Sequence, residues 1–328
     1  MKKLFRRIIL LGIIAGASFM FWAEKPILPA EQTSSMEFTI APGSSLRSSM
    51  QQIDDAGVPV NSWLMSLLAQ MTGNSTKLKA GTYELKPGTT PNQLVKQLVR
   101  GEFAQEALTI IEGWSFKQMR QAIDSNPALK HDTAGLSDKD LMAKISSDYA
   151  LPEGLFYPDT YLFAKNSSDL QIYKQAYSLM IKRLNEAWAA RDAGLPYATP
   201  YEALIMSSIV EKETGKKSER SMIAGVFVNR LKHGMLLQTD PTVIYGMGDQ
   251  FKGNIRKRDL LTDTPHNTYT RAGLPPTPIA LPGAESLHAA MNPAKTDALY
   301  FVARGDGSSQ FSANLDDHNN AVNKYQRK

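Results

Sequence analysis

The sequence predicts an α+β protein, made of an N-terminal membrane helix, a small α+β subdomain and a larger, mostly helical domain with a short β-hairpin. Three observations predict it. A basic stretch leads into an apolar run at the N-terminus. A strand–turn–helix unit then recurs through the first third of the chain. Beyond that, helix-start signals precede apolar residues at helical spacing, with strand-like alternation returning only near the C-terminus.

The N-terminal run comes first. Lys2, Lys3, Arg6 and Arg7 precede an apolar stretch from Ile8 to Ala23. This is short for a membrane span, and a cleaved signal peptide is the alternative. Retention is favoured because Leu4 and Phe5 extend the run while the arginines snorkel. Phe19, Phe21 and Trp22 sit where an interfacial belt would lie, and no A-x-A site closes the run. The basic side places residues 1–7 in the cytoplasm, 8–23 in the membrane and the rest outside. Residues 24–36, rich in Pro, Ser and polar side chains, read as a tether.

The recurring unit follows. Phe38–Ile40, Pro42-Gly43 and Ser45 precede Leu46, Met50 and Ile53. Tyr83–Leu85, Pro87-Gly88 and Thr90 precede Leu94 and Leu98, and Leu108–Ile111, Gly113 and Ser115 precede Met119 and Ile123. Each copy is a strand, a glycine turn, a hydroxyl cap and a helix. With a further helix over 60–71, residues 37–102 form a strand–helix–helix–strand unit that resembles a LysM module, a binder of N-acetylglucosamine-containing glycans. A purely structural unit is the other reading.

Residues 103–328 form the larger domain. Helix is expected over 116–150, interrupted by a loop at 131–137. Leu151–Phe163 carries helix breakers and an aromatic cluster that is either core or a sugar-stacking wall. A long helix spans 170–190. The next begins at Thr199, with Pro200 and Glu202 completing a capping box, and runs to Glu213. Glu213 lies four residues beyond Ile209 on the apolar stripe, so its carboxyl should be pushed towards the neutral form. A carboxylic acid protonated near neutral pH can protonate a leaving oxygen. Glu211 shares a face with Leu204 and Ser208, and spacing alone does not choose between the two. A helix over 219–232 stops at Gly234. Asp240 reads as the cap of the following helix, with Pro241 in its first turn. Residues 249–285 are loop-rich, 284–291 helical, 299–303 and 310–311 a hairpin, and 314–328 a terminal helix.

Composition narrows the chemistry. At 42% apolar and 21% charged, the chain has core material for two domains or three. With no cysteine, disulfides and thiolate metal sites are impossible. The five histidines form no HxxxH or HExxH pattern, so neither a metal nor any other cofactor is expected. The net charge of +5 suits an anionic wall or membrane surface. It is spread too diffusely, with no basic–aromatic run, for a nucleic-acid partner.

The strings EKET (Glu211–Thr214), NRLKHGMLLQTDPTVIYGMG (Asn229–Gly248) and NTYTRAGLPPTPIALPG (Asn267–Gly283), with EGLFYPDTY (Glu153–Tyr161) and Phe311…His318-Asn319, closely resemble the MltG (YceG-like) family of endolytic murein transglycosylases. The resemblance covers about residues 36–328. It implies a single-pass inner-membrane protein with a periplasmic catalytic domain and non-hydrolytic cleavage of peptidoglycan glycan strands. It also implies Glu213 as the catalytic acid and an association with peptidoglycan synthases. Neutral side chains are expected to position the sugars, with Gln238, Tyr245, Asn267 and Tyr269 as candidates. One Glu suffices if the muramoyl C6 hydroxyl closes on C1, leaving a 1,6-anhydro end. The alternatives are a membrane-tethered glycan-binding scaffold without activity, and a hydrolase using Glu211 or Asp240 as a second carboxylate.

Overall fold

The computed structural model describes residues 2–146 and 148–326; Arg327 and Lys328, the end of the expected terminal helix, lie outside them. The α+β class holds, and the chain divides into two compact units.

The first unit comprises the chain up to Ala107 with Ala128–Lys130 and Leu162–Ser167. It begins with α1 (Lys2–Ala23), the one helix among the described residues long and apolar enough to cross a membrane. β1 (Met36–Ile40), α2 (Leu46–Asp55), α3 (Ser62–Met71), β2 (Gly81–Leu85) and α4 (Pro91–Arg100) follow. The expected hydroxyl caps form: Ser45 accepts from Ser48 N–H, and Thr90 makes a full capping box with Gln93 ahead of Pro91. β1 and β2 pair antiparallel with Phe38 opposite Tyr83, whose rings stack at 5.5 Å. Under this sheet Met50, Ile53, Met65, Leu94 and Leu98 are fully buried.

Two features of this unit differ from the sequence reading. The expected tether is partly fixed. Leu28 is buried in the core, Ile27 N–H donates to Thr89 O at 2.8 Å, and Gly88 N–H donates to Leu28 O at 3.1 Å. The last turn of α1 joins the same core through Phe19, Trp22 and Ala23, and Asn92 Nδ2 donates to Glu24 Oε1 at 2.7 Å. Composition reported the polar residues of 24–36 but not the two apolar ones that find a partner surface. Segments beyond the expected boundary at 102 also belong here: Lys165 N–H donates to Ala104 O at 3.1 Å, its Nζ to Glu37 at 2.6 Å, and Asn166 Nδ2 to Thr82 Oγ1 at 3.1 Å.

The remaining elements in chain order are β3 (Gln105–Thr109), α5 (Phe116–Asp124), β4 (Leu129–Lys130), α6 (Asp138–Ile145), β5 (Thr160–Ala164), β6 (Ser167–Ser168), α7 (Asp169–Ala189), α8 (Pro200–Glu213), α9 (Arg220–Lys232), α10 (Asp240–Met247), α11 (Lys257–Leu261), α12 (Ala284–Met291), β7 (Tyr300–Ala303), β8 (Ser309–Ser312) and α13 (Leu315–Tyr325). Strands pair as β3 with β5, β4 with β6, and β7 with β8, the last antiparallel with Phe301 opposite Phe311.

The second unit is organised around α8, which packs on α7, α9, α10 and α12. Every residue from Ala203 to Val210 is buried, so α8 is a central helix rather than the amphipathic one its stripe predicts. Two small polar residues make this possible. Ser207 Oγ donates to Ala203 O and Ser208 Oγ to Ile205 O, each at 2.7 Å, and Ser208 Oγ also accepts from Ile279 N–H at 3.0 Å. No buried hydroxyl on α8 is left unpaired. The aromatic cluster after 151 is core at its head: Phe156 is fully buried, stacked on Phe116 at 5.3 Å with Tyr173 edge-on at 5.8 Å.

Candidate active site

Helix α8 starts where the sequence signals it. Thr199 caps it by accepting from Glu202 N–H at 3.2 Å. The Glu202 carboxylate reaches back one residue further than a capping box requires, to Ala198 N–H. From this start the helix carries its last two glutamates, Glu211 and Glu213, into different surroundings.

Glu211 is tied down. Arg220 Nη2 donates to its Oε1 at 2.8 Å and Gly283 N–H to its Oε2 at 3.0 Å, with both ionic side chains at most 6% exposed. An enclosed, paired carboxylate of this kind offers no face to a substrate.

Glu213, the last residue of α8, lines an open cavity of about 660 Å³. The Thr239 hydroxyl donates to its Oε1. Burial pushes its carboxyl up to about 7; the Thr239 bond opposes that rise, Asp240 adds to it and Arg230 opposes it. Near neutral pH this group therefore exists in both protonation states, as a general acid that must later act as a base requires.

The other cavity walls come from distant segments. Arg230 on α9 is 8% exposed, its Nε donating to Leu299 O at 2.7 Å and its Nη1 to Leu237 O at 2.8 Å. Its guanidinium lies over the Tyr300 ring at 5.2 Å, and His318 of α13 stacks on the same ring at 5.1 Å. Arg230, Tyr300 and His318 are cavity residues that sequence reading did not assign; the His318-Asn319 pair within the resembling strings was the available signal.

Of the sugar-positioning candidates, Gln238 and Tyr269 line this cavity. Gln238 sits at φ +50° and is held by its N–H on Thr268 O at 3.1 Å. A left-handed conformation at a non-glycine residue costs energy, and such strain concentrates at functional sites. Tyr269 donates its hydroxyl to Asp240 Oδ1 at 2.6 Å. Asp240 is thus not the cap of α10. Thr239 occupies that position, and the Asp240 carboxylate faces the cavity, bonded to a residue 29 positions away. Asn267 does not reach the cavity: it is fully buried, its amide donating to Leu260 O and Thr262 O while its Oδ1 accepts from Tyr269 N–H at 2.8 Å. Tyr245 lies in a different cleft, its hydroxyl donating to Glu153 Oε2 at 3.1 Å.

Away from the cavity, Asp124, His131 and Asp169 place donor atoms within 4.8 Å of one another. The buried member is already engaged, since Thr133 donates its N–H to both Asp169 oxygens and its hydroxyl to Oδ2 at 2.6 Å.

The fold and the cavity define an α+β protein with one enclosed, ion-paired glutamate and one cavity-facing glutamate poised near neutrality at the end of a central helix. The YceG-like family profile matches residues 38–324, and the chain belongs to that family. It is 30% identical, across 95% of its own length and 91% of the relative's, to the endolytic murein transglycosylase of Bacillus subtilis. It is 28% identical to the protein of the same name in Streptococcus pneumoniae (strain D39), across 90% of this chain and 60% of that one. A 2.6 Å crystal structure of a yceG-like protein from Listeria monocytogenes superposes with a TM-score of 0.56 at 30% identity, covering 88% of this chain and 99% of that one.

Proposed function

We propose that this protein is a peptidoglycan lytic transglycosylase that cleaves the bond between N-acetylmuramic acid and N-acetylglucosamine without water. The observation that carries the reading is the Glu213 carboxyl, half-protonated near neutrality and open to a cavity. The names of the relatives support the substrate class.

In the proposed reaction, protonated Glu213 gives its proton to the bridging oxygen as the C1–O bond breaks. The substrate's acetamido group stabilises the electron-poor C1. Ionised Glu213 then accepts the proton of the muramoyl C6 hydroxyl as that oxygen closes on C1, leaving a 1,6-anhydro end and a regenerated acid. The nucleophile is intramolecular, which gives it a very high effective concentration and removes the need for an activated water. Thr239 holds the carboxyl in place, Gln238 and Tyr269 position the sugars, and Asn267 acts indirectly by holding the Tyr269 backbone.

The βααβ order of the first unit supports a LysM-like glycan-binding role for it. The apolar α1, with basic residues at its start, supports single-pass anchoring with an N-terminus in the cytoplasm and both units in the periplasm. The packing of Phe19, Trp22 and Ala23 into the first unit favours an anchor that stays attached. Peptidoglycan synthases are the partners this placement would serve.

Asp240 raises one competing reading, because it shares the cavity and could serve a hydrolase as base. Its engagement by the Tyr269 hydroxyl weighs against it. Mass spectrometry of purified glycan strands after incubation with wild type and Glu213→Gln tests the proposal. Anhydro ends from wild type and none from the variant support it; reducing ends, or equal products from both proteins, overturn it.

A further inference from the structure

A second carboxylic acid in the same unit has surroundings like those of Glu213 and no part in the reaction above. Glu153 is 7% exposed and lines an open cleft of about 710 Å³. Its Oε1 accepts from Phe116 N–H at 3.0 Å and its Oε2 from the Tyr245 hydroxyl at 3.1 Å. Burial pushes its carboxyl up to about 7. The Tyr245 ring meets the His266 ring edge-on at 4.8 Å, and His266 Nε2 pairs with Thr277 Oγ1 at 2.9 Å. Burial holds His266 below its usual pKa, so it is neutral at pH 7.

The cleft therefore presents a half-protonated carboxyl beside the neutral Tyr245, His266 and Thr277. Leu151, Pro152 and Ile244 supply apolar surface, with Leu151 56% exposed. The cations that line it are already matched: Lys117 Nζ lies 2.6 Å from Asp249, and Arg120 lies 2.7 Å from Asp138 and 3.8 Å from Asp124. Beyond the Glu153 carboxyl, which is half-protonated near pH 7 as Glu213 is, the cleft has no unpaired charge among the described residues, and so no spare cation for a peptide carboxylate. Its apolar wall facing neutral hydrogen-bonding groups suits a pyranose, which has apolar ring faces and a rim of hydroxyl and acetamido groups.

The cleft also has a fixed relation to the catalytic cavity. Helix α10 contributes Asp240 to the cavity and Ile244 and Tyr245 to the cleft. At a rise of 1.5 Å per residue, those five positions separate Asp240 and Tyr245 by about 7.5 Å along the helix axis. Ile244, one turn from Asp240 at about 100° per residue, shares its face of α10, so a strand running along that face passes from the cavity to the edge of the cleft.

We propose that the cleft of Glu153, Tyr245, His266 and Thr277 is a second sugar-binding site, taking a neutral N-acetylhexosamine unit of the same strand that Glu213 cuts. It rests on the glycan reading for its substrate class. Its work is to hold the strand away from the scissile bond, so that cleavage within a long strand is favoured over cleavage of a fragment too short to reach it.

Histidine side chains give the direct test, because His266 lines the cleft and His318 lines the catalytic cavity. The full-length Glu213→Gln protein, with isotope-labelled histidines and held in detergent micelles, is titrated with the neutral trimer of N-acetylglucosamine. The proposal expects saturable movement of the His266 imidazole signals, and at least a fivefold weaker midpoint for that movement when Tyr245→Phe is added. Movement of His318 alone, or of neither, overturns it. This binding result is independent of the product assay on wild type, so failure of the sugar site and failure of the transglycosylase reading are told apart. Leu151→Arg, a change at an exposed position, gives the kinetic test. KM for long strands should rise about tenfold with kcat retained, while KM for the shortest cleavable fragment stays constant. Equal effects on both substrates, or none, contradict the proposal.

Discussion

The Thr239 hydroxyl donates to the Glu213 carboxyl, joining the last residue of α8 to the N-cap of α10. The two residues are brought together by a backbone that Thr268 holds twice, through its carbonyl to Gln238 N–H and its hydroxyl to Thr239 N–H, each at 3.1 Å. The Glu213 carboxyl is therefore set by the meeting of two helix ends, and its proton affinity depends on a neighbour from another segment.

Replacing that neighbour should move the pH dependence in a known direction. The Thr239 bond favours the ionised form of Glu213. Thr239→Val removes it without changing side-chain shape, and a lost hydrogen bond to a charged group of about 1.5 kcal/mol corresponds to about one pKa unit. The descending limb of kcat/KM against pH should move up by about one unit, and an unmoved limb would mean that another group controls it.

Glu213 also links pH to stability. Its carboxyl is raised from 4.5 to about 7 in the folded protein, so the folded state holds its proton more tightly than the unfolded chain does. The associated stability is fully present below pH 4.5 and is lost as pH rises through about 7. Glu213→Gln has no such loss. Urea denaturation should find it more stable than wild type at pH 8, by up to about 3 kcal/mol at 1.36 kcal/mol per pKa unit, with the difference vanishing by pH 4. A constant difference across that range would contradict a raised pKa.

The paired glutamate predicts the opposite kind of result. Arg220→Met leaves Glu211 enclosed without its ionic partner, which costs about 3–5 kcal/mol. Adding Glu211→Met should recover much of that loss. Denaturation midpoints of the two variants test this, and equal midpoints would show that the pair is not the reason for the cost.

The helix α1, long and apolar enough to cross a membrane, also packs into the first unit. A chain beginning at Glu24 lacks the packing of Phe19, Trp22 and Ala23. Partial loss of such burial is worth about 1–3 kcal/mol. Amide exchange in β1 and β2 should accelerate about tenfold or more, while α8 in the second unit keeps its protection. Unchanged exchange would contradict a contribution of α1 to the first unit.

What could be read in advance depended on the range of the interaction. Thr90-Pro91, Ser115 and Thr199-Pro200 announced their helices because a cap is made within four residues. Glu213 was legible as a candidate because helical spacing carries it beyond Ile209. Spacing could not separate it from Glu211, since that decision lies with Arg220 and Gly283, one on the next helix and one 72 positions away. Asp240-Pro241 has the local chemistry of a cap, but its carboxylate is taken by Tyr269 across the fold. Glu153 gave no sign of its burial, because the aromatic residues that follow it looked like the feature of that segment. Ile27 and Leu28 were hidden among polar neighbours whose composition says nothing about a surface waiting for two apolar side chains.

The central claim is that the glycan end is closed by the substrate's own hydroxyl, with Glu213 as acid and then base. Digestion of purified glycan strands in water enriched in oxygen-18 tests it most directly. The account predicts muramoyl ends lighter by one water than reducing ends and free of the heavy isotope, with no products from Glu213→Gln. Heavy oxygen at the new muramoyl ends would contradict it, and would identify a hydrolase in which Asp240 is the first residue to test as base.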